Sequence, residues 1–334
     1  MARSNPAGCR RSNNPPGAGG RACGSHLRMF AGVMFASAFA VSSALAEGVL
    51  RVCADPDNMP LSNQRGEGYE NRIAQELARD LGRRIEYTYF PQRMGFVRNT
   101  LRRKDVATDQ FKCDVIIGVP KGYELTATTQ PYMHSTYALV SAWREDFSKL
   151  RTADDLLKLP SATLSALRIG VFGRSPGADW LLRNNMIDRA VMYAPQSGDP
   201  AENPAHIIEQ DLAAGKIDLA IVWGPIAGFL VRRHAAGPSW IAVPFMPDPE
   251  IKFDYQIAMG VRFGEKQWQS TLDEWIAAHR ARIDEILISY RVPLLDASGK
   301  VNGLQVTASD EVRAGAVPKR IPLEPVAPPE PRQN

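Results

Sequence analysis

Two short runs, residues 113–119 (CDVIIGV, followed by Pro120) and 217–225 (IDLAIVWGP), are almost unbroken apolar sequence, and each runs out at glycine and proline. Strands of a parallel sheet covered on both faces read this way, because neither face meets water. Parallel neighbours need long crossovers, usually helical, and the chain supplies them twice. Before the first run come a strand at 48–54 (GVLRVCA) and a helix in which Ile73, Leu77 and Leu81 recur at four-residue spacing and Gly82 stops the turn. A β-branched and aromatic strand follows at 85–90, then a helix with Phe96, Val97 and Leu101 on one side. The order β-α-β-α-β predicts a parallel sheet with right-handed crossovers.

A strand at 135–143 (STYALVSAW) leaves this unit, and a short helix at 152–159 has Thr152 as its N-cap. The order then repeats. A strand at 167–173 is followed by a helix with Ser175 as cap and Pro176 at its first position. Next come a strand at 190–195, the helix AHIIEQDLAAG, the second apolar run and the helix IAGFLVRRH. A returning strand at 253–262 and one long helical region over 268–292, with Leu272, Trp275 and Ile276 on one face, complete the pattern. The fold class is α/β with two units of similar order.

The formal charge of +4 over 334 residues misleads. The first 46 residues hold five arginines and no acid; without them 35 basic residues face 36 acidic ones. A balanced body has no electrostatic footprint for nucleic acid. Residues 29–46 are uncharged and end in Ala44-Leu45-Ala46, the small-x-small pattern of a cleaved export signal. The run is marginal in length for a membrane anchor, so residues 1–46 read as a signal peptide and the mature chain as periplasmic with no stable anchor. Residues 311–334 read as a Pro-rich disordered tail. Cys9 and Cys23 leave with the signal. Cys53 and Cys113 are candidates for a disulfide in an oxidising compartment, or else two buried small hydrophobes.

Ligands of open parallel sheets bind at the carboxyl ends of the strands. Asp55, Asp57 and Asn58 stand where the first strand runs out, and Val119 and Lys121 where the third does. An EF-hand is excluded there, because Met59 and Gly66 fall on its fifth and twelfth positions. His134, His206, His234 and His279 have no metal-site spacing, and no metal or cofactor is expected. GRSPG has the Gly-x-Ser-x-Gly form, but Pro176 removes the N–H that an oxyanion hole needs. No catalytic residue is assigned.

The order of elements resembles the class II periplasmic solute-binding proteins of the polar-amino-acid type. That resemblance implies a two-lobed fold with two hinge strands. Lobe I would comprise residues 47–141 and 251–310, and lobe II residues 142–250. It implies an arginine for a ligand carboxylate at the position of Gly122, beside Lys121, and an aspartate for a ligand ammonium at the position of Trp223. In the second-lobe Gly-Thr-Thr turn, Arg174 replaces the glycine and Ser175 remains. Both zwitterion anchors are absent, and a buried ligand charge without its partner costs several kcal/mol. Tyr69 and Glu70 occupy the family's Gly-Phe-Asp position, and Arg93 is a candidate cation at the rim.

The stretches VCADPDNMPLSNQRGEGYENRIA, PQRMGFVRNTL, CDVIIGVPKGYE and TTQPYMHSTYALV are similar to the branch associated with quinoprotein methanol dehydrogenases. That implies a monomeric, non-enzymatic accessory factor whose partner is a methanol dehydrogenase, with its cytochrome c as a second partner. The alternatives are an ABC-transporter receptor for a small molecule other than an amino acid, and a dehydratase-like enzyme using Glu70 with Lys121 or Arg93. The longer insert RRKDVATDQFKCD, before the third strand, reads as a local elaboration and has no role in any of these readings.

Overall fold

The computed structural model describes residues 48–194, 203–235, 240–302 and 304. The expected signal at 1–46 and tail at 311–334 lie outside the described residues. Strand β1 (Val49–Ala54) is followed by a hairpin that periodicity does not show, β2 (Asp57–Asn58) against β3 (Ser62–Asn63). Helix α1 (Tyr69–Asp80) buries Ile73, Ala74 and Leu77 completely. Strand β4 (Arg84–Tyr89), the one-turn helix α2 (Phe96–Asn99) and β5 (Val115–Pro120) complete the first unit. β1 is parallel to β4 on one side and to β5 on the other, as the alternation predicts. The helix expected after residue 95 is only one turn, because Thr100 leaves helical geometry at φ −119°, ψ −87°. Cys113 lies just before β5 rather than on it, and it is bonded to Cys53 with a Cα–Cα distance of 5.4 Å.

Strand β6 (Ala127–Ser141) begins eight residues before the expected strand at 135. Pro131 hid it: the residue has no N–H to donate, and it sits where the register with the returning strand shifts, at a bulge. Residues 153–158 form a 3-10 turn rather than an α-helix, and Thr152 donates its backbone N–H to Asp155 Oδ2 at 2.9 Å. Helix α3 (Ser161–Ala166) leads into β7 (Ile169–Phe172), α4 (Pro176–Arg183), β8 (Ala190–Tyr193), α5 (Pro204–Ala213), β9 (Leu219–Trp223), α6 (Gly224–Arg233) and β10 (Ile241–Pro244). β7 is parallel to both β8 and β9, repeating the arrangement of the first unit.

Strand β11 (Asp254–Val261) returns beside β5, and α7 (Lys266–Ala278), α8 (Arg280–Ser289), β12 (Leu294–Leu295) and β13 (Val301–Asn302) follow. The expected single long helix is therefore two. It breaks at His279, whose Nδ1 sits 2.9 Å from the Trp275 carbonyl oxygen and whose ring stacks on Trp275.

The main sheet runs β4-β1-β5-β11-β6-β9-β7-β8. β6 joins its two parts: residues 127–136 pair with β11, and residues 137–141 with β9 and β10. One core gathers Leu50, Ile73, Leu77, Ile117, Leu272 and Leu287. A separate core gathers Ile169, Val171, Trp180, Ile221, Phe245 and Phe253. Each fully buried aliphatic side chain contributes about 1.5–3 kcal/mol of transfer free energy.

Candidate functional site

The carboxyl ends of β1, β4 and β5 converge, and there the sequence supplies polar residues where the strands run out. The Asp55 carboxylate accepts the backbone N–H of Asp57 at 2.9 Å and that of Gln92 in the loop after β4. The Asp55 N–H donates to Ser62 Oγ, and Ser62 Oγ donates back to the Asp55 carbonyl. Asn58 Nδ2 donates to Gln92 Oε1, and Gln92 Nε2 donates to the Gly118 carbonyl. A polar lattice thus spans the ends of three strands. Burial raises the Asp55 carboxyl above its ordinary value, against the lowering pull of the Gln92 and Asp57 amides and of the Arg93 charge.

Glu70 lies beneath this lattice, in the first turn of α1, and is only 5% exposed. Burial first, and the nearby Asp55 charge second, push its carboxyl up to about 8. At neutral pH it is mostly protonated and is a hydrogen-bond donor as well as an acceptor. Its side chain lies over Gly118, where a Cβ would stand 2.1 Å from Glu70 Oε1 and 3.5 Å from Tyr132 Oη. The Tyr132 hydroxyl is buried and has no hydrogen-bond partner among the described residues. Gly68, just before α1, is also obligatory: a Cβ there would stand 2.0 Å from the Leu61 carbonyl oxygen.

A second cluster forms where β6, β9 and β11 meet. Trp223, half-buried at the end of β9, meets Tyr137 edge to face at 5.6 Å and Tyr255 at 5.9 Å. Beside it His134 Nε2 lies 2.7 Å from Asp254 Oδ2. Burial raises the Asp254 carboxyl, but the His134 hydrogen bond and the Lys252 charge outweigh it, and the net value is below the usual range. The two halves of the chain touch directly at Asn203, the N-cap of α5, whose Nδ2 donates to the Asp57 carbonyl at 3.2 Å.

Of the residues expected at the site, Asp55, Asp57, Asn58 and Glu70 come together, and Trp223 stands in the aromatic cluster. Tyr69 and Val119 belong to the interior instead. Tyr69 is 1% exposed and packs edge to face on Tyr290, and Val119 is 4% exposed in the core behind the disulfide. Lys121 is exposed, and its Nζ turns back to the Thr129 carbonyl at 2.7 Å. Glu70 has Asp55, Tyr69, Tyr132 and Gly118 as neighbours, so the acid–base pair with Lys121 does not form. Ser175 caps α4, accepting the Ala178 N–H, and Arg174 before it is exposed in the left-handed region at φ 57°. Gln92, Asn203, Tyr137 and Tyr255 were missed. Gln92 had the one available signal, its place after β4 beside the expected site.

Among the described residues no group of three or more His, Cys, Asp or Glu side chains is placed to hold a metal ion, and no helix is long and apolar enough to cross a membrane. The arrangement offers a neutral buried carboxyl, a carboxylate clamped by amides and an aromatic cluster. It provides hydrogen bonds and apolar surface for recognition.

No protein-family model matches the chain. It is 28% identical over 289 residues to the protein MoxJ of Paracoccus denitrificans, covering 81% of this chain and 99% of the relative. The crystal structure of the periplasmic binding protein XoxJ from Methylobacterium extorquens AM1 matches with a TM-score of 0.58 and 33% identity, over 74% of this chain and 99% of that one. MxaJ from Methlophaga aminisulfidivorans MPT matches with a TM-score of 0.59 and 22% identity, over 74% and 100%. The architecture is the two-lobed α/β fold of the periplasmic binding proteins.

Proposed function

Because the chain belongs to the family of periplasmic binding proteins that includes XoxJ and MoxJ, we propose that it is a periplasmic accessory factor of PQQ-dependent methanol oxidation. It assists maturation or activation of a methanol dehydrogenase by protein–protein contact, and it is not itself an enzyme. Family membership supports the pathway. The observation that carries the mode of action is Trp223. Where the resembled amino-acid receptors place an aspartate for a ligand ammonium, this chain has an indole set between Tyr137 and Tyr255. Gly122, at the position of the carboxylate-binding arginine, offers no side chain at all. A free zwitterion would bury two uncompensated charges here, whereas a neutral carboxyl and an aromatic cluster suit an uncharged or proteinaceous occupant.

The test is calorimetric titration of residues 47–334 with purified quinoprotein methanol dehydrogenase, apo and metal-loaded. Saturable binding that differs between the two forms is expected. No heat at micromolar concentrations, together with tight binding of a free amino acid, would overturn the reading.

A further inference from the structure

The basic insert before β5 is an ordered, fully projecting finger. Residues 102–110 are all exposed, and Val106 near the tip is 92% exposed. The finger is nonetheless held rigidly. Asp105 N–H donates to the Gln110 carbonyl, Lys112 N–H to the Arg103 carbonyl, and Lys104 bridges to Phe111. Asp105 Oδ1 collects the Ala107 and Thr108 amides, which shapes the turn. The base is fixed by the Cys53–Cys113 disulfide and by Arg262, which donates to the Leu101 and Cys113 carbonyls and lies 4.1 Å from the Phe111 ring centroid.

Residues 98–112 hold five basic residues and two acidic ones, whereas the rest of the chain after residue 46 holds 30 basic and 34 acidic ones. Among the described residues, only Lys104 of these cations makes an ion pair, with Asp109 at 2.8 Å. Arg98, Arg103 and Lys112 are exposed and make no ion pair with any described residue. An apolar shelf adjoins the finger. Phe263 is 59% exposed and Leu125 43% exposed, and Arg102 links them, donating to the Leu125 carbonyl with its guanidinium 5.7 Å from the Phe263 ring.

We propose that this finger and shelf are the docking surface for an acidic patch with an apolar centre on the dehydrogenase, a proposal that rests on the partner assigned above. An apolar centre inside a charged rim is the usual anatomy of an interface. Arg98, Arg103 and Lys112 make no ion pair with any described residue, so their charge is available to steer an acidic partner. The backbone is already locked, so docking has little chain ordering to offset.

Association kinetics of the dehydrogenase with the full mature protein test this. Arg98→Glu/Arg103→Glu/Lys112→Glu changes three exposed side chains that hold no ion pair. It is expected to slow association at least tenfold and to flatten its dependence on salt. Lys149→Glu/Arg189→Glu/Lys300→Glu makes the same charge change elsewhere and is expected to slow it less than threefold. Val106→Asp, with the cations intact, is expected to speed dissociation. Wild-type binding left unchanged by the finger variants overturns the docking surface and spares the functional reading. An equal effect of both triple variants reduces the finger to general charge and also overturns it. No binding by the wild-type protein overturns both.

Discussion

Burial pushes the Glu70 carboxyl well above its ordinary value, and the consequence for stability has a definite sign. Its value is about 8 in the folded state against 4.5 unperturbed. The folded state therefore holds a proton that the unfolded state releases. The stabilisation from the neutral form is fully present below about pH 4.5 and is lost as pH rises through about 8, at about 1.4 kcal/mol for each unit between them. Glu70→Gln keeps the shape and removes the titration. Its melting temperature is expected to stay flatter than that of the wild type between pH 5 and 9 in thermal scans, and to exceed it at pH 9. Parallel curves would mean that Glu70 is ionised in the folded protein. Gly118 faces the same carboxyl, and Gly118→Ala is expected to cost about 1–3 kcal/mol by overpacking. Chemical denaturation measures it, and Glu70→Ala in the same chain should recover part of the loss by removing the atom the methyl meets.

At the scale of elements, the parallel strands were readable because burial on both faces leaves an apolar run with no alternation, as at 115–119 and 219–222. The β2–β3 hairpin was not readable, since two-residue strands carry no period, and what fixes them is the Asp55–Ser62 exchange of hydrogen bonds. For the same reason the sequence showed Asp55 and Asn58 as site residues but not Gln92, whose role depends on which strand ends are neighbours. Asn203 was equally hidden, because its bond to Asp57 spans 146 residues of chain. Asn203 does two jobs: it caps α5 and it reaches the hairpin. Asn203→Ser retains a capping oxygen but is too short to reach Asp57. Stability is expected to change by about 0.5 kcal/mol or less, while amide hydrogen exchange in residues 57–63 becomes faster. Unchanged exchange would show that the hairpin is held without the Asn203 contact.

The apolar interior has no clean seam, because β6 contributes Tyr132 and Met133 to the core around Leu50 and Leu287, and Leu139 to the core around Trp180 and Phe245. Fifteen residues of a single strand cannot lose pairing with β9 and β10 without exposing the end of the ladder with β11. We propose that the lobes, 47–141 with 251–310 and 142–250, are therefore units of motion rather than of folding. Denaturant unfolding is expected to be one transition, with the same midpoint whether read from a chain whose remaining reporter is Trp180, in the second core, or Trp275, in the first. The disulfide gives the second half of the test. It closes 60 residues of chain that lie wholly in the first lobe, and both sulfurs are buried. Removing it with Cys53→Ser/Cys113→Ser is expected to cost about 3–4 kcal/mol through the unfolded chain. If the lobes are coupled through β6, both tryptophan reporters shift to lower denaturant together. If only the Trp275 signal moves, the halves fold independently and β6 is a tether, not a shared element.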